Sequence, residues 1–269
     1  CDTETEPTAQ NDGGPALNLP VPAPDPPLDR VALLAAVAEA ASASAAGQPV
    51  PQALRNLDGR EFELRIRFGC SGPSAKLAGQ PLAWTYEAGT RRIRVRAAPT
   101  IDKDEPLPER IAGDQFESVE GFWIPRPWLL QPVCPAAAAV VRQPDEEAGD
   151  KAKAGAEEEG GSLGSDEPVA AAPRIGIAQF FTTSDSRTRR RDNRPYEAAR
   201  TLAEDAPIPA RGFDLVLSGR LRAIPGRGVI ECIAKGPDSP PECIVSARFQ
   251  RVWIEEAGSG DVYAEWGGG

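Results

Sequence analysis

GREFELRIRFGC, residues 59–70, is the stretch that decides the fold. Its apolar side chains alternate with charged ones, which is the period of a strand that buries one face. The inward set is Phe62, Leu64, Ile66, Phe68 and Cys70, and the outward set is Glu61, Glu63, Arg65 and Arg67. The pattern predicts a β-strand that covers a hydrophobic core on one side.

Similar strand patterns recur in PLAWTYEAGTRRIRVRA (81–97), RIGIAQFF (174–181), GFDLVLSGRLRAI (212–224) and DVYAEW (261–266). They predict a mainly β protein with a few short helices, folded as a β-sandwich or a partly open barrel. Residues 101–120 are predicted to be irregular.

Two segments favour helices. The first is capped by Asp29 and ends near Ala46, before Gly47. Its predicted apolar stripe is Val31, Leu34, Ala38, Ala41 and Ala45. The second is expected to start at Asn193 and Pro195 and to run to about Asp205.

Composition divides the chain into four regions. The net charge of −10 comes mainly from acids in residues 1–28 and 144–168, so the rest is close to neutral. We expect a disordered tether at 1–28 and a disordered acidic, Ala-rich insertion at 135–172. Residues 29–134 are predicted to form a helix plus a first β segment. Residues 173–269 are predicted to form a second β segment with an Arg-rich loop and helix. We expect both regions to belong to one domain.

Four cysteines follow Cys1, without a CxxC pair and without a histidine to complete a zinc site. Cys232 and Cys243 flank the turn-rich AKGPDSPPE, so we predict a disulfide across a hairpin. Elimination then pairs Cys70 with Cys134. Four buried free thiols are the alternative.

The N-terminal stretch resembles that of a mature bacterial lipoprotein. The chain begins at Cys1 and contains no methionine. The resemblance implies acyl chains on Cys1, contact with a membrane and residence in the cell envelope, on the periplasmic or outer-surface side, with residues 2–27 as the tether. A trimmed N-terminus is the alternative.

Missing residues exclude several kinds of catalysis. Without histidine, a Ser/His/Asp relay is excluded. The sequence also contains no nucleophile elbow, phosphate loop or GxGxxG motif. We therefore expect neither a cofactor nor a metal. Paired carboxylates remain available to a glycan-cleaving enzyme. Glu117 and Glu120 in DQFESVEGFW are the candidates, with solvated surface charge as the alternative.

Two segments favour contact with a partner. The Arg-rich stretch 186–200 contributes Arg187, Arg189, Arg190, Arg191 and Arg194, which suit carboxylate or phosphate groups. FWIPRPWLL contributes Trp123, Arg126 and Trp128 as an anchor, or as a plug at the end of a sandwich. Pairing with nearby acids is the alternative for the arginines.

These features predict a non-enzymatic, lipid-anchored envelope protein that serves as an accessory subunit of a membrane-protein complex. A glycan-binding or glycan-cleaving protein that uses Glu117 or Glu120 is the alternative function. Nucleic acid is not an expected partner, because it does not fit the predicted compartment.

Overall fold

The computed structural model describes residues 25–135, 173–186, 190–234, 236 and 239–267. The helices in these ranges are α1 (Arg30–Ala45), α2 (Gln52–Arg55) and α3 (Pro106–Ala112). The strands are β1 (Glu61–Phe68), β2 (Leu82–Glu87), β3 (Arg92–Ala97), β4 (Ser118–Trp123), β5 (Ile175–Phe181), β6 (Tyr196–Thr201), β7 (Phe213–Leu221), β8 (Ile230–Ile233), β9 (Glu242–Glu256) and β10 (Val262–Gly267). The fold is mainly β, as predicted. Nearly all of the predicted tether and insertion lies outside the described residues.

The strands form two open sheets. The large sheet has the order β1-β7-β9-β5-β4, with β8 and β10 also paired to β9, and the small sheet has the order β2-β3-β6. β1 pairs antiparallel with β7, from Glu61 opposite Arg220 to Phe68 opposite Phe213. The first and second β segments therefore share one sheet.

The main core lies between the two sheets and under α1. Phe213 of β7 packs against Trp84 of the small sheet, with ring centroids 5.5 Å apart, and against Tyr263 of β10 at 5.4 Å. Leu33 and Val37 of α1 join the same core. This packing of aromatic and aliphatic side chains from both sheets gives a sandwich-like arrangement.

A second, smaller core lies under α3. Ile111 of this helix shares it with Val119 of β4 and Ile244 of β9. Ile244 alternates along β9 with Cys243 and Val245, which belong to the main core, so the two cores lie on opposite faces of the large sheet. The prediction that residues 101–120 are irregular is wrong for α3 and for the start of β4.

The predicted helix from Asn193 to Asp205 is wrong, because residues 196–201 form β6. Asp192 and Asn193 adopt left-handed backbone conformations in a turn, so Asn193 does not cap a helix. Tyr196 is buried against Trp266 and Phe122, and β6 pairs with β3. Packing of Tyr196 and pairing along β3 override the local helix propensity.

Both predicted disulfides are present. Cys70 and Cys134 have their Cα atoms 5.4 Å apart, and Cys232 and Cys243 have theirs 4.1 Å apart at paired positions of β8 and β9. The first bond links the end of β1 to the segment after β4. The second closes the β8–β9 hairpin.

Candidate functional site

The predicted anchor segment FWIPRPWLL begins at the end of β4. Trp123 is the last residue of β4, and its indole Nε1 donates to Oε1 of Glu105 at 3.3 Å. The guanidinium of Arg174 lies 3.7 Å from a Trp123 ring centroid. These contacts hold the half-buried Trp123 against the folded domain, and its partner-binding role stays a prediction.

Arg30 holds the segment that follows, residues 124–135. Its Nε donates to the main-chain oxygen of Leu129 at 2.8 Å, and its Nη2 donates to those of Arg126 at 3.1 Å and Pro125 at 3.3 Å. Arg30 is buried at the start of α1, and burial, together with the charge of Arg126, lowers the pKa of its guanidinium. One buried side chain thus satisfies several carbonyl groups of an irregular stretch.

Two further contacts fix the 124–135 segment. Arg126 has a left-handed φ of 50°, and its Nη2 donates to the main-chain oxygen of Arg67 at 3.3 Å. Cys134 is bonded to Cys70. Arg126 is predicted to bind a partner. In the structure, one of its guanidinium donors is occupied by this hydrogen bond within the domain.

Large apolar side chains on this fixed segment remain exposed. Trp128 is 59% exposed, Leu130 53% and Val133 49%. We call these three residues the apolar patch. Of the three predicted anchor residues, Trp128 is the one that faces solvent with a large apolar surface.

The Arg-rich loop makes internal contacts where it is described, and Arg187 and Arg189 lie outside the described residues. Nη1 of Arg190 is 2.5 Å from Oε2 of Glu117, and its Nη2 donates to the main-chain oxygen of Thr182. The Arg190 side chain is 11% exposed. This arginine is therefore poorly placed to meet a partner.

Arg191 and Arg194 shape the turn before β6. Arg191 donates from Nη2 to the main-chain oxygen of Pro195 at 3.0 Å, and its guanidinium lies 4.3 Å from the ring centroid of Tyr196. Arg194 is exposed and donates from Nε to the main-chain oxygen of Arg191 at 2.9 Å. Of the described members of the predicted cluster, Arg194 is the most exposed.

Glu120 is a buried carboxyl group, with 2% of its surface exposed. The hydroxyl of Tyr196 donates to its Oε1 at 2.5 Å, and the main-chain N–H of Arg191 donates to its Oε2 at 3.4 Å. Burial raises the pKa of Glu120 and also that of the Tyr196 hydroxyl. The surface-charge interpretation is wrong for Glu120, whereas Glu117 is exposed and ion-paired.

A cavity of about 370 Å³ lies next to this carboxyl group, at an interruption in the sheet. β5 pairs with one edge of β9 as far as Ser246. β10 pairs with the same edge of β9 from Arg251 onward. Residues 247–250 of β9 lie between these two pairings. The side chain of Gln179 accepts the main-chain N–H of Phe249 at 3.2 Å. Gln179 lines the cavity and stands opposite Glu120 in the β4–β5 register.

Comparison with known proteins assigns no family. No protein-family model matches the chain, and neither the curated proteins nor the solved structures include a significant match. None of the helices in the described ranges is long and apolar enough to cross a membrane. The function of the protein is therefore inferred from its residues and their geometry.

Proposed function

We propose that this protein is a non-enzymatic, lipid-anchored accessory subunit of a membrane-protein complex in the cell envelope. It docks through the apolar patch on the 124–135 segment. The observation that carries the proposal is the combination of a fixed backbone with three large exposed apolar side chains, Trp128, Leu130 and Val133. Tryptophan is enriched among the residues that contribute most to protein–protein affinity.

The rigidity of the segment supports docking. Arg30 and the Cys70–Cys134 disulfide hold the backbone in place before a partner arrives. A fixed segment loses less conformational entropy on binding than a flexible loop. The expected counterpart is an apolar surface on a membrane protein.

The anchor is assigned to Cys1, which lies outside the described residues. Acyl chains on this residue would keep the protein at the membrane and raise its effective concentration near a membrane-bound partner. The described chain starts at Asp25, whose carboxylate pairs with Arg60 just before β1. The tether would thus reach the domain at the start of β1, whereas the 124–135 segment is held near the end of β1 by Arg126 and Cys134.

Purification from mildly solubilised native membranes tests the docking proposal. The wild type is expected to retain a stoichiometric membrane protein, and Trp128→Ser/Leu130→Ser is expected to lose it at unchanged thermal stability. The matched control Ile208→Ser/Val262→Ser removes exposed apolar side chains elsewhere and should retain the partner. A wild type that purifies alone would overturn the accessory role, and a partner retained by the docking variant would overturn the assigned surface.

A second candidate function is binding or cleavage of envelope glycans. It is favoured by Glu120, because burial raises the pKa of its carboxyl group, as glycosidases require of a general acid, and because its hydrogen-bond donors Tyr196 and Arg191 line the cavity. Glu120→Gln is expected to stop cleavage of a sensitive polysaccharide or peptidoglycan, whereas the exposed Glu117→Gln should not. A wild type that neither retains nor cuts any member of such a panel excludes this function.

A further inference from the structure

A β-bulge lies beside the cavity, where β7 pairs with β9. The β7–β9 register shifts between Ser218 and Gly219, so that Ser218 faces Arg251 while Gly219 faces Phe249. A Cβ atom on Gly219 would collide with the main-chain oxygen of Arg248. Bulges re-aim neighbouring side chains, and this one lies beside the cavity-lining residues Arg248 and Phe249.

Aromatic side chains form much of the apolar wall. The cavity is lined by Phe181 of β5, Tyr196 of β6, Phe249 of β9 and Trp266 of β10. These residues come from four strands of both sheets, so the wall depends on the folded domain. Such a surface suits a ring or another apolar group.

The loop after β7 closes one side of the cavity. The main-chain N–H of Arg222 donates to the oxygen of Ser246 at 3.0 Å, which fixes the loop against β9. Ala223 and Ile224 follow and line the cavity. Arg222 thereby stands at the cavity beside Arg248.

The charges around the cavity are unbalanced. Arg222 and Arg248 are exposed, and neither side chain forms an ion pair or hydrogen bond with any residue that the structure describes. Arg191 adds a third positive charge. Among the described lining residues Asp185 is the carboxylate, and it already accepts the N–H of Thr182 at 2.7 Å and its hydroxyl at 2.8 Å.

Other arginines of the large sheet have acidic partners. Arg67 donates two hydrogen bonds to Asp214, and Arg251 donates two to Glu265. Arg222 and Arg248 keep their donors free beside an aromatic wall. A guanidinium with free donors favours a carboxylate, phosphate or sulfonate group.

We propose that this cavity binds a small organic anion, with the anionic group held by Arg222 and Arg248 and an apolar or ring-shaped body against Phe249 and Trp266. A volume of about 370 Å³ suits such a molecule. This site is separate from the apolar patch, so the inference goes beyond the proposed docking function.

Fluorescence titration with 8-anilinonaphthalene-1-sulfonate, an aromatic sulfonate, tests the site. The full chain is expected to bind the probe, and Arg222→Gln/Arg248→Gln should bind it about tenfold more weakly, because charge-assisted hydrogen bonds are lost. The neutral N-phenyl-1-naphthylamine should bind both proteins equally. Octyl phosphate should displace the sulfonate probe, whereas octanol should not.

Two further variants sharpen the result. Arg92→Gln/Arg94→Gln removes two exposed arginines of the small sheet and should leave binding of the probe unchanged. Ala223→Trp fills the cavity without changing its charge and should weaken binding. Equal binding by Arg222→Gln/Arg248→Gln and the wild type, or an equal loss in the two arginine pairs, overturns the proposal.

Discussion

The hydroxyl of Tyr196 donates a 2.5 Å hydrogen bond to Oε1 of Glu120, and this bond joins the two sheets. Tyr196 begins β6 in the small sheet, and Glu120 lies in β4 of the large sheet. The contact spans 76 residues of sequence and lies beside the candidate cavity. It couples the integrity of the sandwich to the ionisation of one buried carboxyl group.

Glu120→Gln is expected to change how stability depends on pH. Burial raises the pKa of Glu120 in the folded state above its usual value of 4.5. At a pH between the pKa of the unfolded state and that of the folded state, the folded protein therefore binds more protons at this group than the unfolded protein does. The free energy of unfolding contributed by this group therefore falls as the pH rises through that window. Urea unfolding from pH 4 to pH 8 should show the variant gaining stability relative to the wild type as the pH rises. Parallel pH profiles would contradict a buried, titrating Glu120.

The strands illustrate what local sequence can predict. Alternation placed Phe62, Leu64, Ile66 and Phe68 on a buried face, because a strand repeats every two residues and the rule needs no knowledge of partners. The predicted helix is wrong at β6, although Pro195 and the alanines that follow it favour a helix locally. The pairing with β3 that decides the structure depends on residues about a hundred positions away.

The contacts of the site residues depend on distant parts of the chain, which the local sequence pattern does not specify. The predicted apolar stripe on α1 is wrong for Val31, Ala38 and Ala45, which are exposed. It also lacks Arg30, which is buried against the 124–135 segment. A charged residue at a helix start normally indicates solvent, and its carbonyl partners lie almost a hundred residues away. Arg222 and Arg248 come together only through the β7–β9 register, which the sequence pattern does not specify.

Arg30→Met is expected to destabilise the protein and loosen the 124–135 segment. The variant keeps an apolar stem but leaves the carbonyl oxygens of Leu129 and Arg126 without their donor, at a cost of about 1–3 kcal/mol in the free energy of unfolding. Chymotrypsin should cleave after Trp128 faster than in the wild type. Arg55→Met on exposed α2 is the matched control and should change neither quantity. Unchanged cleavage in Arg30→Met would show that Arg30 does not hold the segment.

The two disulfides are expected to contribute unequally. Cys70–Cys134 spans 64 residues and Cys232–Cys243 spans 11, and the loop-closure relation gives about 4 and about 3 kcal/mol respectively. Urea unfolding of Cys70→Ser/Cys134→Ser and Cys232→Ser/Cys243→Ser measures both losses. Cys70→Ser/Cys134→Ser should also accelerate cleavage after Trp128, because the segment loses its covalent link to β1. A larger loss from the short loop would mean that strain or residual structure outweighs chain entropy.

Gly219→Ala is expected to disturb the bulge beneath the cavity. The added Cβ atom would collide with the main-chain oxygen of Arg248 and lie 3.0 Å from the nitrogen of Gln250, so β7 and β9 must separate. Overpacking of this kind lowers the free energy of unfolding by about 1–3 kcal/mol. Gly89→Ala in the β2–β3 turn has open space around its Cβ atom and should be close to neutral.

Because the bulge sets the position of Arg248, Gly219→Ala should also weaken binding of the sulfonate probe, measured on protein that remains folded. A Gly219→Ala protein as stable as Gly89→Ala, with unchanged probe affinity, would show that the close approach of β7 to β9 is not needed for either property.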